Sequence, residues 1–215
     1  MLVHDSDNLS IVILGTWNAR IFSPQWLKKN GISTDESMTI EAGLDVPGLP
    51  LRFTFDNVVL NVSSLSLVLN VKEATPESIG RIQKIAVNIL KLLPHTPIKA
   101  VGINFQFIES EPDYDNIKIF DLSDSGEMSD NGLKINRTSI KREILCDLGT
   151  LNFTISMDAD SNILYNFNFH KETKDFETSC AVFDDDVLIF FEKSKQILSD
   201  VYKYNIEGVS LWQKY

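Results

Sequence analysis

The chain has 215 residues, of which 43% are hydrophobic and 23% charged, a composition typical of a globular protein with a substantial core. Its net charge is −10, and the excess lies in the second half, because residues 1–108 hold nine acids and nine bases whereas residues 109–215 hold 21 acids and 11 bases. Such a chain repels phosphate backbones and anionic lipids, so its composition argues against direct nucleic-acid binding and against membrane binding.

The first predicted elements are a central strand and a short helix. The run SIVILGTW, from Ser10 to Trp17, is apolar on both faces, as expected for a strand in the middle of a sheet. Ser23 and Pro24 then supply a helix cap and a first-turn proline, and Gly31 supplies a stop.

Residues 51–71 alternate between apolar and polar in three short runs. The parity of the alternation changes at Asp56–Asn57 and again at Ser63–Ser64, as two tight two-residue turns would require. This stretch therefore predicts an antiparallel meander of three strands.

A long amphipathic helix and another strand follow the meander. Thr75, Pro76 and Glu77 form a helix start, and isoleucine, alanine and leucine recur at helical spacing as far as Leu93. Alternation then resumes from Val101 to Phe107, which predicts a strand.

The next segment, residues 109–130, is acidic, with eight acids opposed by Lys118 alone. Its acids repel one another and it is rich in serine, so we expect a solvated connector. Only the run IKIF, from Ile117 to Phe120, could pair as a short strand.

The second half repeats the plan of the first. A hairpin is predicted around Asp158–Asn162, and a second amphipathic helix begins near Asp184–Asp186. We therefore predict one α+β domain, residues 1–215, with a largely antiparallel sheet of about eight strands and two long helices. The pattern is compatible with duplicated strand-strand-helix halves, residues 1–108 and 131–215, joined by the acidic connector.

His95, between Pro94 and Pro97, is the first candidate for catalysis. A histidine in a loop at a sheet edge can act as a general base beside a carboxylate. The alternative is a junction in which Pro94 ends a helix and Pro97 stiffens the start of a strand, and we favour this alternative because no serine or cysteine nucleophile motif accompanies the histidine.

The run Asp184, Asp185 and Asp186 is the corresponding candidate for a divalent metal. Acids at a helix start are also favoured by capping and by the helix dipole, and this explanation needs no ligand. The run DADSN begins like a calcium loop, but Ile163 stands where such a loop needs glycine. Cys146 and Cys180 lack zinc-ligand spacing and are expected to be reduced thiols, and no phosphate-binding motif occurs, so we predict no cofactor and a cytoplasmic location.

Surface chemistry provides the remaining candidates. The outward positions of the predicted strands carry uncharged polar residues, namely Asn61, Ser66, Asn70, Asn104, Gln106, Asn152, Thr154, Ser156, Asn166 and Asn168. Such a face is either plain solvated sheet or a wet binding surface. The candidates for partner binding are four connector acids, Asp113, Asp115, Asp121 and Asp124, and Trp212 near the end of the chain.

Absent catalytic signatures and one-sided charge predict a non-catalytic protein–protein interaction module, a subunit or adaptor of a cytosolic assembly. Its partner would be another protein, basic ones included, or a second copy of the chain. Two alternatives stay open: a hydrolase of unfamiliar type that uses His95 and Asp184–Asp186, and an acidic decoy for a nucleic-acid-binding protein.

Overall fold

The protein is built on a nine-stranded sheet in a computed structural model that describes residues 2–34, 37–41, 50–206 and 209. The strands are β1 (Leu2–Gly15), β2 (Thr39–Glu41), β3 (Leu51–Phe55), β4 (Val58–Val62), β5 (Ser66–Val71), β6 (Ile98–Glu109), β7 (Ser139–Cys146), β8 (Gly149–Met157) and β9 (Ile163–Glu172). The α-helices are α1 (Pro24–Lys29), α2 (Pro76–Leu92), α3 (Tyr114–Ile117), α4 (Ser125–Asp130), α5 (Phe176–Ala181) and α6 (Val187–Asp200), and Ala19–Ile21 and Lys118–Phe120 form 3-10 turns.

The strands lie in the order β2-β3-β4-β5-β1-β6-β9-β8-β7, and every neighbouring pair is antiparallel. The α+β prediction is confirmed, but the described sheet has nine strands and not eight. The run from Glu143 to Met157 is expected from the sequence to form one arm of the hairpin around Asp158–Asn162. It instead belongs to two strands, β7 and β8, because the chain turns back at Gly149, which has a φ of +114° and directly opposes Cys146.

The prediction of a strand at Ile117–Phe120 is wrong. The amide of Ile117 donates to the carbonyl of Asp113, and the amide of Asp121 donates to that of Lys118, so the segment turns helically. The edge strand β7 pairs with β8, and the connector residues satisfy their backbone groups locally.

The meander of β3, β4 and β5 folds as predicted. Asp56 and Asn57 both have positive φ, 45° and 65°, as a two-residue type I′ hairpin turn requires. The second connection runs from Ser63 to Leu65, with the Ser63 hydroxyl accepting from the amides of Leu65 and Ser66. It is one residue longer than predicted, because the Ser63 hydroxyl stabilises a wider turn.

The long helices begin at their predicted caps. Thr75 and Ser78 form a reciprocal capping box at the start of α2, and the Asp186 carboxylate accepts from the amide of Leu188 at the start of α6. The short helix α1 likewise begins after Ser23, whose hydroxyl accepts from the amide of Trp26. Local capping chemistry therefore explains where these helices start.

The core lies on one face of the sheet. Side chains in register across five strands, Leu69, Ile11, Ile103, Phe169 and Leu151, belong to a cluster of buried residues to which α1, α2 and α6 contribute. Helix α5 packs against this cluster through partly buried side chains. Helices α3 and α4 bury no side chain. Within the described chain, no helix therefore buries side chains against the opposite face of the sheet.

Candidate functional site

The face of the sheet opposite the helices is rich in uncharged polar side chains, and we call it the amide face. Its central members come from β5, β1, β6, β9 and β8 and are Asn70, Ser10, Asn104, Gln106, Asn166, Asn168, Asn152 and Thr154. All eight side chains are half-buried. Because alternate residues of a strand share a face, the polar positions predicted from parity lie together in space.

One row of the amide face is a chain of side-chain hydrogen bonds across four strands. Asn152 Nδ2 donates to Asn168 Oδ1 at 3.2 Å, and Asn168 Nδ2 donates in turn to Asn104 Oδ1 at 2.5 Å. Asn104 Nδ2 then donates to Ser10 Oγ at 2.9 Å. These bonds hold the amides in fixed orientations, while the second donor and the second lone pair of each amide are left for other partners.

A second row runs parallel to the first. Gln106 Nε2 donates to Asn166 Oδ1 at 2.5 Å, and Asn8 Nδ2 donates to Gln106 Oε1 at 2.9 Å. Gly102 lies beside the first row, and a Cβ there would stand only 3.1 Å from Asn168 Nδ2. A glycine at this position therefore leaves space for the Asn168 amide to reach its neighbour.

Apart from Asp5, which lies on β1 opposite Gln106 and accepts from Asn8 Nδ2, the charged residues of the amide face lie at its margins. Arg52 lies on β3, Lys141 and Glu143 lie on the edge strand β7, and Glu172 ends β9. At the first-half margin, a groove of about 390 Å³ is lined by charged and amide side chains that include Asp7 and Lys72. A centre with a single carboxylate, Asp5, inside a charged rim resembles protein interfaces, whose cores are depleted of charged residues.

The acidic connector is the second surface with an unusual character. Asp113, Asp115, Asp121 and Asp124, the four predicted partner-binding acids, are all exposed. Lys118 Nζ lies 2.8 Å from Asp115 Oδ1 and also over the Tyr114 ring. A groove of about 640 Å³, lined in part by Leu122, Met128 and Leu133, lies in the same segment.

A cluster of buried polar groups lies on the core side of the second half. Tyr204 Oη donates to Glu109 Oε2 at 2.5 Å, and Tyr165 and Tyr204 share a short hydroxyl–hydroxyl hydrogen bond. Asn116 Nδ2 donates to Glu109 Oε1 at 2.8 Å. Burial raises the pKa of the Tyr204 phenol, its hydrogen bond to Glu109 raises that pKa further, and burial likewise raises the pKa of the Tyr165 phenol.

This cluster ties the end of the chain to the connector and to the sheet. Tyr202 stacks at an angle on Phe153, and its hydroxyl accepts from Arg142 Nη1 at 2.7 Å. The contacts join residues 95 and 39 positions apart in sequence, so no local pattern indicates them. Their arrangement is that of a structural clamp, because each polar group is satisfied within the protein.

The structure places His95 in the exposed turn between α2 and β6, where the amide of Thr96 donates to the carbonyl of Leu93. Asp184, Asp185 and Asp186 are exposed at the start of α6. Gln83 holds that turn, and it lies nine residues before the end of α2 at Leu92, roughly 14 Å along the helix axis. The structure does not bring His95 and the aspartates into one site.

Gln83 is a residue whose role sequence reasoning missed. Its Nε2 donates to the carbonyls of Phe183 and Asp185, both at 3.1 Å, and its Oε1 accepts from the amide of Val187 at 3.1 Å. A polar residue in the middle of an amphipathic helix is normally expected to face solvent. Nothing in the local sequence distinguishes Gln83 from such a solvent-facing residue. It fastens the start of α6 to α2.

The remaining predicted features are a metal site, the loop at Asp158–Asn162, Trp212 and the relation to membranes. Among the described residues, no group of three or more His, Cys, Asp or Glu is arranged to hold a metal ion. The Asp158 carboxylate accepts from the side chain and the amide of Asn162, which lowers its pKa and closes the predicted hairpin. Trp212 lies outside the described residues. No described helix is both long and apolar enough to cross a membrane.

No protein-family model matches the chain, and no curated protein sequence matches it. The amide face and the connector are therefore the two surfaces from which a function can be inferred.

Proposed function

We propose that the protein is a non-catalytic interaction subunit that binds a partner protein through the amide face. The observation that carries the proposal is the combination of an amide-rich centre, in which Asp5 is the one carboxylate, with a charged rim on the face that no described helix covers. A partner docked over the row from Asn152 to Ser10 need not strip water from an unpaired charge, which would be the most costly step of association.

The size of the face also supports this role. Five strands, β5, β1, β6, β9 and β8, at about 4.8 Å spacing and about nine residues of about 3.3 Å each, cover roughly 700 Å². An interface of standard size buries about 800 Å² on each partner. The central strands of the amide face alone are thus nearly sufficient for a stable complex.

The hydrogen-bonded rows reduce the entropic cost of binding. Asn104 and Asn168 are already held by their neighbours, so little rotamer freedom remains to be lost when a partner arrives. Val12 and Val68, which lie in register on the same face, add stiff apolar area next to the amides.

Site-specific photo-crosslinking in cells of the source organism tests the proposal. A photoreactive benzoylphenylalanine is placed at Asn104 or Asn152 on the amide face, and at Gln196, an exposed position of α6, as the control. We expect both amide-face positions to give the same covalent adduct and Gln196 to give none. Adding Asn168→Glu, which places a charge at the centre, should abolish the adduct.

Two measurements make the outcome decisive. Thermal unfolding of the Asn168→Glu protein shows whether the variant is folded, and light scattering of the parent protein shows whether the adduct partner is a second copy. A parent that stays monomeric and gives no adduct from either amide-face position contradicts the proposal.

A further inference from the structure

Strand β7 is the edge strand of the second half of the sheet. It is the last strand in the sheet order, and within the described chain it pairs with β8 alone. At eight residues it is longer than a typical strand of five or six. Leu145, near its end, is 84% exposed and is the most exposed large apolar side chain among the described residues. A long edge strand presents a row of backbone donors and acceptors to which another strand can bind.

Three charged side chains of β7 determine which strand could bind there. Lys141 and Glu143 lie on the amide face, opposite Thr154 and Asn152 of β8, and Arg142 lies between them on the core face. All three charged side chains are exposed, and none forms an ion pair with another described residue. Charges on an edge strand normally oppose pairing, unless the incoming strand brings the opposite charge to the same place.

A second copy of β7 can bind in only a few registers. Two identical strands related by a two-fold axis perpendicular to the sheet are antiparallel, and each residue i of one copy lies opposite a residue j of the other with a constant sum of i and j. Opposed residues must lie on the same face, and alternate residues share a face, so this sum is even. Each allowed register therefore has one residue of β7 on the axis, opposite its own copy.

The charges select one of these registers. With Lys141 or Glu143 on the axis, like charges meet, and with Ile140 or Ile144 on the axis neither charge meets its opposite. With Arg142 on the axis, Lys141 of each copy lies opposite Glu143 of the other, which gives two ion pairs on the amide face. On the other face, the same register places Ile140 of each copy opposite Ile144 of the other.

The arginine on the axis is held away from its own copy. Arg142 lies opposite Phe153 of β8, and its Nη1 donates to the Tyr202 hydroxyl at 2.7 Å. The Tyr202 ring packs on the rings of Phe153 and Tyr165, so this hydrogen bond draws the guanidinium inward over β8. The two guanidinium groups of a dimer would therefore point away from each other.

We propose that the protein forms a two-fold symmetric dimer in which β7 pairs with β7 of a second copy and Arg142 lies on the axis. The pairing runs from Ser139 opposite Leu145 to Leu145 opposite Ser139 and adds about seven backbone hydrogen bonds. It joins two nine-stranded sheets edge to edge and places both amide faces on the same side.

The net charge of the chain is compatible with a second copy at this edge. Strand β7 carries two bases and one acid, a net charge of +1 in a chain of −10, so the excess negative charge lies outside the strands that meet. Charges farther away are screened over about 8 Å at physiological salt. The contact is narrower than an interface of standard size, so we expect a weak dimer that forms at micromolar concentration. The inference concerns the sheet edge and does not depend on the proposed role of the amide face.

Sedimentation velocity of the full chain between about 5 and 500 µM tests the inference. The parent should change from monomer to dimer over this range. Lys141→Glu and Glu143→Lys should each weaken the dimer about tenfold, because each replaces two ion pairs by two like-charge pairs. The double variant with both changes should restore the dimer to within about threefold of the parent, since it exchanges the charges between the two copies.

A control variant separates this effect from net charge. Lys84→Glu, at an exposed position of α2, changes the net charge as Lys141→Glu does and should leave the dimer unchanged. Asn168→Glu, which tests the amide face, should also leave it unchanged. Circular dichroism of each variant shows that it is folded.

A disulfide tests the register directly, in a protein whose own thiols are removed by Cys146→Ser and Cys180→Ser. Residues opposite each other have Cα atoms about 4.5–5.5 Å apart, within the range of a disulfide. Arg142→Cys should therefore give a covalent dimer on mild oxidation. Lys141→Cys is the matched control, because residue 141 lies about 7–8 Å diagonally from its own copy and should crosslink far less.

Four results would overturn the inference: a parent that stays monomeric at 500 µM, charge variants that dimerise like the parent, no restoration by the double variant, or equal crosslinking at positions 141 and 142. A dimer that Asn168→Glu dissociates and the β7 variants leave intact would place the second copy on the amide face instead. None of the four results bears on the photo-crosslinking from the amide face, so failure here leaves the proposed function intact.

Discussion

The two halves of the sheet share a topology but differ in what is inserted into it. In each half a long strand, β1 or β6, is followed by an insertion, a meander that folds back beside that strand, and a long helix, α2 or α6. The order β3-β4-β5-β1 on one side thus mirrors β6-β9-β8-β7 on the other, with β2 as an added edge strand of the first half.

The two insertions occupy equivalent places in the topology but differ in how many side chains they bury in the core. The first insertion, which includes α1, buries Trp17, Phe22, Leu27 and Ile32 in the core. The second, the acidic connector, buries no side chain in α3, α4 or its 3-10 turn. In the second half the residues after α6, with Tyr202 and Tyr204, pack against the sheet instead. Apart from the clamp at Glu109 and the partly buried Ile119 and Phe120, the connector contributes little to the core, and such surface segments are where binding residues concentrate.

The largest expected difference in stability comes from truncating one leucine in each of the two insertions. Leu27 is fully buried, so Leu27→Ala should reduce the free energy of unfolding by about 2–5 kcal/mol through lost burial and a residual cavity. Leu133→Ala, in the same insertion just after the connector, should change it by less than about 0.5 kcal/mol. Urea unfolding followed by circular dichroism measures both. A comparable loss in the two variants would show that the connector is structural after all.

Much of this comparison could be predicted from the sequence, because it depends on local patterns. Parity predicted the meander, β6 and the outward polar positions such as Asn104 and Asn168, and capping residues such as Thr75 predicted the starts of the long helices. These signals are local because side-chain periodicity and capping involve residues within one or two turns.

The rest depended on contacts between distant residues. The run at Ile117–Phe120 has strand-like composition, but with no neighbouring strand to pair with it becomes helical. The clamp of Glu109 by Tyr204 and the contact of Gln83 with the start of α6 join residues about a hundred positions apart. Such pairings have no local signature, so tertiary structure alone reveals them.

The next prediction concerns the pH dependence of stability, which should arise from the second half because the buried phenols belong to it. The pKa values of Tyr165 and Tyr204 are raised above the ordinary value of 10.0. The folded state thus holds these protons more tightly than the unfolded state, and the resulting stability is complete below pH 10 and lost as pH rises above it. Each phenol can remove up to about 1.4 kcal/mol per pH unit.

The predicted loss of stability above pH 10 can be checked by measuring the free energy of unfolding between pH 8 and 11.5. Tyrosinate absorbance follows the ionisation of the phenols over the same range. The loss above pH 10 should be clearly smaller in a Tyr204→Phe protein. A stability that is flat across this range in the parent would contradict the burial of the phenols.

Removal of one hydroxyl from the clamp should have a moderate effect. Tyr204→Phe leaves the buried Glu109 carboxylate without its phenol donor, which should cost about 1–3 kcal/mol at pH 7. Tyr202→Phe is the matched control, because its hydroxyl contacts the exposed Arg142 and its loss should cost less than about 1 kcal/mol. Urea unfolding at neutral pH distinguishes the two, and equal losses would mean that Glu109 does not need Tyr204.

The smallest effect concerns the seam between the two halves. Gln83→Ala removes three hydrogen bonds from α2 to the start of α6, each to a backbone group that water can partly satisfy instead, so we expect a loss of about 1–2 kcal/mol. Asn88→Ala, at an exposed position of the same helix, should change stability by less than about 0.5 kcal/mol. Native-state hydrogen exchange of the Gln83→Ala protein is a sharper measurement. Faster amide exchange in the first turn of α6, with exchange in β4 and β5 unchanged, would mean that Gln83 joins the two halves but that each half can open independently. Uniform acceleration over both halves would instead show that the sheet opens as one cooperative unit, and the duplicated topology would then have no counterpart in stability.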